Sequence, residues 1–237
     1  MLKPILKKIL PQPVIDWLRP PPPPFNLSYS QEGEDMVLRR IFEMQPTGFY
    51  VDIGAHHPER FSNTNFFYQR GWRGINVDAM PGSMEAFGHL RPEDANLQAA
   101  VSDQSQTLTY FIFDERALNS FDRELSLQRQ QQGCKILQQV EIKTITLADL
   151  LEKHLPPGRQ IDFLSVDVEG FDLNVLRSNN WERFRPRVIL VEDMTVSAWG
   201  QINGSPTTEF LRSNGYEPFA STLHTIFYRR PDGEKTT

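Results

Sequence analysis

The sequence predicts an α/β fold built on a doubly wound, mostly parallel sheet that finishes in an antiparallel hairpin. Short apolar runs alternate with helical patterns along most of the 237 residues. Four of those runs end in an acid, at Asp52, Asp78, Asp167 and Glu192. The last two strand-like segments, Tyr216 to Ala220 and Thr225 to Tyr228, are placed to pair with each other. Ligands of such a sheet bind outside the carboxyl ends of its strands, so an acid repeated at that edge points to a binding site rather than to packing.

The elements follow in order. Ser28 with Gln31 three residues later reads as a capping box for a helix whose apolar stripe is Val37, Leu38, Ile41 and Phe42. Gly48 to Pro58 is a buried strand running into a glycine turn at Gly54. A helix over Asn63 to Arg70 leads into the strand Arg73 to Asp78, a helix over Met80 to Leu90 follows, and Ala95 to Ser102 makes a third strand. Thr107 to Phe113 and Val140 to Ile145 are strand-like, and the polar stretch Asp114 to Gln139 between them is expected to be a long mobile excursion over a site. Thr146 with Asp149 caps a helix that Pro156-Pro157-Gly158 ends before the strand Ile161 to Val166. Phe171 to Arg177 is helical and Arg187 to Glu192 is a buried strand. Ser205 and Pro206 open the last helix, which Gly215 stops.

The chain divides into an amphipathic, proline-rich leader over residues 1–27 and one domain over 28–237. In the leader, Leu2, Ile5, Leu6, Ile9 and Leu10 share a helical face away from Lys3, Lys7 and Lys8, and Pro20 to Pro24 form a stiff spacer. Packing on the domain's own surface, or disorder, is the plainer expectation for it. An interfacial membrane anchor or a docking peptide for a partner enzyme is the alternative. The net charge of −5 argues against nucleic acid as a partner. A single cysteine, Cys134, excludes an intrachain disulfide and a Cys-rich zinc cluster and suits a reducing cytoplasm, with membrane contact confined to the periphery. No apolar run approaches the roughly 20 residues that span a bilayer.

A strand, a glycine turn and a second strand ending in an acid present an adenosyl ligand. Gly54 allows close backbone approach, Asp78 lies 24 residues beyond it to accept ribose hydroxyls, and the Ala100 to Asp103 turn, with Ser102, lines the adenine. Asp52 reads equally as a ligand contact and as a strand-end cap. Gln31 and Glu34 are candidates for the amino-acid end of the ligand, Gln31 being equally accounted for by the capping box. A dinucleotide fingerprint is incomplete, because His56 stands where its second glycine belongs. Asp167 and Glu169, two apart before Gly170, place a base for a substrate hydroxyl or, with Glu192 and Asp193, the oxygen ligands of a divalent cation. The other reading makes Glu169 a helix cap. His56 and His57 are either a base or substrate contact or an ordinary loop pair, and His224 is a loop residue. No Ser-His-Asp order, Walker lysine or zinc spacing is present.

Taken together, Tyr29 to Asp35, Phe49 to Pro58, Ser62-Asn63-Thr64, Gly71 to Ile75, Ala100 to Asp103 and Ser165 to Gly170 resemble, in order and spacing, the FkbM-type S-adenosylmethionine-dependent methyltransferases. The resemblance spans roughly Ser28 to Arg230. It implies a class I methyltransferase (Rossmann-like) fold, S-adenosyl-L-methionine as cofactor, and O-methylation of a hydroxylated small molecule or glycan acceptor. It also implies cofactor-side roles for Gln31, Asp52, Gly54, Asp78, the adjoining Ala79, and Ser102; Asp167 is the expected catalytic base. The family's usual asparagine before the second loop histidine is His56 here. A catalytically inactive cofactor-binding scaffold in a biosynthetic complex, and an NAD-dependent dehydrogenase on the same sheet, are the rival expectations.

Overall fold

The computed structural model describes residues 26–196 and 198–231, so the leader expectation for residues 1–25 lies outside the described residues. Helix α1 (Glu34–Ile41) is followed by β1 (Phe49–Ile53), α2 (Asn65–Gln69), β2 (Arg73–Asp78), α3 (Met84–Leu90), β3 (Ala95–Gln98) and β4 (Ala100–Val101). Then come β5 (Thr107–Phe113), α4 (Arg123–Gln131), β6 (Ile136–Ile145), α5 (Leu147–His154), β7 (Phe163–Val166), α6 (Asp172–Arg177), β8 (Val188–Glu192), α7 (Pro206–Ser213), β9 (Glu217–Ser221) and β10 (Thr225–Arg229).

Seven strands form one sheet in the order β3-β2-β1-β7-β8-β10-β9. The first five of that order run parallel, and β10 runs antiparallel to both β8 and β9. The chain winds outward from β1 in both directions, so the order reverses between β1 and β7, which is where open α/β sheets leave a crevice. Period-two alternation fills both faces. Val51, Ile53, Ile75, Val77, Leu164, Val166, Ile189 and Val191 pack with Leu147, Leu150 and Leu151 of α5, Val175 and Leu176 of α6 and Leu211 of α7. Tyr50, Phe163, Leu190 and Phe227 face the other way, onto Leu38 of α1, Phe42, Phe67 of α2 and Trp72. A second sheet, β4-β6-β5, stands beside the first with its own cluster of Ala100, Tyr110, Ile112 and Phe121.

Three expectations are corrected. The capping box at Ser28 does not form: the helix starts six residues later, behind Gly33 in the left-handed region (φ 89°), and the Ser28 hydroxyl donates instead to Asp35 Oδ1 at 2.5 Å. The single strand over Ala95 to Ser102 is two, because the chain leaves the main sheet at Ala99, whose N–H donates to the Asp78 carbonyl at 3.0 Å, and β4 pairs with β6 instead. The excursion from Asp114 to Gln139 is largely regular, holding α4 with Asp122 as its N-cap and the first residues of β6. The caps at Thr146 and Ser205 form as expected, accepting from the N–H groups of Asp149 and Thr208. Among the described residues no helix is long and apolar enough to cross a membrane.

Candidate functional site

An open cavity of about 720 Å³ lies at the carboxyl ends of β1, β2 and β7 and is roofed by the second sheet. Ile53 and Gly54 follow from β1, Val77, Asp78 and Ala79 from β2, and Asp167, Val168 and Glu169 from β7. Gln31 reaches in from the segment before α1. The second sheet and the turn after β5 add Val101, Tyr110, Arg116, Asn119 and Phe121.

Gly54 is required by its neighbours. Its φ is 89°, and a Cβ there would lie 1.6 Å from the Asp167 carbonyl oxygen, inside the backbone of the facing strand end. The same approach lets the Asp167 N–H donate to the Ile53 carbonyl at 2.9 Å, and the N–H groups of Gly54 and Ala55 both donate to the Val77 carbonyl. Three strand ends are thereby locked together around one point. Asp78 braces the turn: Oδ2 accepts from the His56 N–H at 3.0 Å and Oδ1 from the Met80 N–H at 2.8 Å. Burial pushes its carboxyl upward, and those two N–H groups oppose the shift. Asp78 does not cap α3, which begins at Met84 behind Ser83, and each of its oxygens keeps a second lone pair toward the cavity.

His56 sits at φ 52°, in the left-handed region where histidine, like asparagine and aspartate, is enriched among non-glycine residues. Its ring stacks on Phe61 with centroids 6.1 Å apart and lines the cavity, and burial pushes its imidazole pKa down. His57 turns back into its loop, where Nδ1 accepts from the N–H groups of Glu59 and Arg60.

Two expected cofactor-side residues do not line the cavity. Asp52 shares its face of β1 with Tyr50, opposite Ile53, and Oδ2 accepts from the Thr64 hydroxyl at 3.0 Å. That hydroxyl also takes a hydrogen bond from Arg91 at 2.7 Å, and Arg91, 1 % exposed, donates to Ser62 Oγ and the Pro58 carbonyl as well. Burial pushes the Asp52 carboxyl up to about 6 against the pull of the Arg91 charge. Asp52 therefore secures the loop over 58–64 from beneath the site. Ser102 is fully buried, donates to Asp103 Oδ1, and lies on the opposite side of its strand from Ala99 and Val101, which do face the cavity.

On the β7 side, Asp167, Glu169 and Glu192 bring one carboxylate oxygen each to within 4.8 Å of one another. Glu169 is at φ 54° and pairs with Arg129 of α4. It does not cap α6, whose leading turn is held by Asp172 accepting from the N–H groups of Val168 and Gly170 at 3.0 and 3.1 Å. Asp193 is outside the group, bonded to Thr195 and Ser205. Burial, then the charges of Glu192 and Glu169, push the Asp167 carboxyl well above the usual carboxylate range. Burial and neighbouring carboxylates likewise push Glu192 up to about 8, and Glu192 Oε2 is buried without a hydrogen-bond partner. Such a set shares protons, binds a cation or meets a proton-donating ligand. Its oxygens suit a hard divalent ion.

The residues fit an adenosyl cofactor by the chemistry of the donor set: an acidic acceptor for ribose at Asp78, an apolar and aromatic wall at Val101, Tyr110 and Phe121, and carboxylates for cationic groups. Arg116, Tyr110, Asn119 and Phe121 were not legible as site residues. The only available signal was the length of the segment that carries most of them.

A family model described as the methyltransferase FkbM domain matches residues 52–218. Comparison with curated proteins gives no match.

Proposed function

Starting from the chain's membership of the FkbM methyltransferase domain family, we propose that it is an S-adenosylmethionine-dependent O-methyltransferase acting on a hydroxyl of a glycan, a glycolipid or a secondary metabolite. The observation that carries the reading is the convergence of Gly54, Asp78 and Ala79 with Asp167 and Glu169 on one cavity at the reversal of strand order. That order, with one antiparallel strand inside an otherwise parallel run, supports a class I methyltransferase arrangement.

S-adenosylmethionine, when bound, supplies an electrophilic methyl group on a sulfonium. Asp78 accepts hydrogen bonds from the ribose, Tyr110, Phe121 and Val101 flank the adenine, and Gln31 meets the amino-acid end. Gly54 and Ala79 line the path between them. Asp167 accepts the proton of the acceptor hydroxyl, for which it has to be ionised; a cation beside it favours that form and opposes the effect of burial. Positioning is the larger contribution, roughly 7 to 11 kcal/mol from effective molarity, against roughly 10²- to 10⁴-fold from a base. The carboxylate trio fits a divalent cation that would orient the acceptor oxygen. The leader is read as packing on the domain's surface, with peripheral membrane or partner-enzyme contact as its alternative, in a cytoplasmic protein.

The test is calorimetric titration with S-adenosylmethionine, its demethylated product and NAD, followed by methyl transfer to hydroxylated acceptors with and without a divalent cation. Binding of the first two, with a mass gain of one CH₂ on the acceptor, is expected. Binding of NAD alone overturns the reading, and binding without transfer to any hydroxyl leaves a cofactor-binding scaffold.

A further inference from the structure

At the opposite edge of the main sheet lies a second concavity of about 560 Å³. It is built where the chain enters β7 and β8 and leaves β10, all at the end of the sheet away from the cleft. Four arginines line it, Arg159, Arg183, Arg185 and Arg230, against one acid, Glu182. In a chain of net charge −5 this concentration of cations is local and does not follow from composition.

Arg183 is answered by Glu152. Among the described residues the other three have no carboxylate within ion-pair distance. Arg159 is exposed, with its guanidinium 5.6 Å from the Phe49 ring centroid. Arg185 donates from Nη2 to the Asn214 carbonyl at 2.8 Å and lies 5.9 Å from the Tyr216 ring centroid. The Nε atoms of Arg185 and of Arg230 are both buried without a hydrogen-bond acceptor. Unanswered buried donors on charged groups are costly, and two beside one concavity mark a place where the acceptor comes from outside the chain.

We infer that this groove is a second binding site, for a ligand carrying a phosphate or pyrophosphate group. Guanidinium forks match tetrahedral oxyanions two donors at a time. Three arginines without a carboxylate partner offer more donors than a single carboxylate has oxygens to use, whereas a pyrophosphate can engage all three. The inference is independent of the methyl-transfer reading, since no cleft residue enters it.

The test is calorimetric titration of the full chain with inorganic pyrophosphate, at low salt and again at high salt. Saturable one-to-one binding is expected, weakened at least tenfold in the double variant Arg159→Gln/Arg230→Gln and unchanged in Arg123→Gln, an exposed position on α4 at the cleft end of the sheet. Arg159→Gln alone, at an exposed position, gives a readable loss of affinity should the double variant fail to fold. Co-sedimentation with vesicles containing a phosphoinositide, lost in the same variants, identifies the phosphate as a lipid headgroup; pyrophosphate binding without vesicle binding identifies a soluble ligand. Absence of saturable binding, equal affinity for sulfate, or equal weakening in Arg123→Gln overturns the proposal.

Discussion

On the β1–β2 side of the cleft each carboxylate is answered, whereas on the β7–β8 side like charges face one another. Asp78 spends both oxygens on backbone N–H groups, and Asp52 is held by Thr64 with the Arg91 charge nearby. Among the described residues the one ion pair made by Asp167, Glu169 and Glu192 is that of Glu169 with Arg129, and Glu192 Oε2 is buried without a hydrogen-bond partner. The first side is arranged to hold a shape, at the cost of little chemistry. The second is arranged to change protonation state, at a cost in stability that sites of reaction characteristically carry.

Gly54 joins the two sides, so its loss is expected to have the largest effect. In Gly54→Ala a methyl group meets the Asp167 backbone, and the positive φ adds strain; destabilisation of at least about 3 kcal/mol follows, roughly 6–12 °C in thermal midpoint, with loss of cofactor binding. Scanning calorimetry and titration check it, and wild-type affinity in this variant would mean that the strand ends are not locked as described. Asp167→Asn separates the sides: turnover is expected to fall roughly 10²- to 10⁴-fold while affinity for S-adenosylmethionine stays within about threefold. Undiminished turnover with the true acceptor removes Asp167 as the base.

Asp78→Asn does the converse. An amide directs N–H groups at one of the two backbone donors from which the carboxylate accepts, and weakens the proposed ribose contact; affinity is expected to drop about 10- to 100-fold with turnover at saturation largely kept. A fall in turnover alone would contradict the division of labour. The smallest effect concerns pH. Because Glu192 is raised to about 8 in the fold and lies near 4.3 when unfolded, the folded chain holds an extra proton between those values. Its stabilising contribution is complete below that window and is lost as pH rises through about 8. The thermal midpoint is expected to be about 5 °C lower at pH 8 than at pH 5, and Glu192→Gln flattens that slope; a midpoint that rises with pH contradicts the assignment.

Much of the cleft was legible in the sequence because it is written in local patterns. The strand, glycine and spacing rules brought Gly54, Asp78, Ala79 and Asp167 to one edge, and Gln31 joins them although its capping box does not form. Asp52 and Ser102 lie off the cavity wall for a common reason: their place near a strand end is visible in the sequence, but which face they present depends on the pleat and on what lies beneath. Arg91 beneath Asp52 has no signature in the local spacing. The acid trio was visible two residues at a time, and only the pairing of β7 with β8 shows that Glu192 joins it while Asp193 turns to Ser205. The second sheet hid its contribution most completely, since Tyr110 reads as an ordinary member of a strand.

The segment that presents Gln31 is tied down by a neighbour 192 positions away: Glu32 accepts from the His224 N–H at 2.8 Å and meets the His224 ring, while Glu34 accepts from Thr225. Contacts of such sequence separation carry a larger loop-closure cost than local ones. The turn at Gly54 is shaped by the pairing of β1 with β2, whereas the segment that carries Gln31 is held only where β10 lies against β8. The same clasp makes β10 a participant in placing Gln31 although it contributes no residue to the cavity wall.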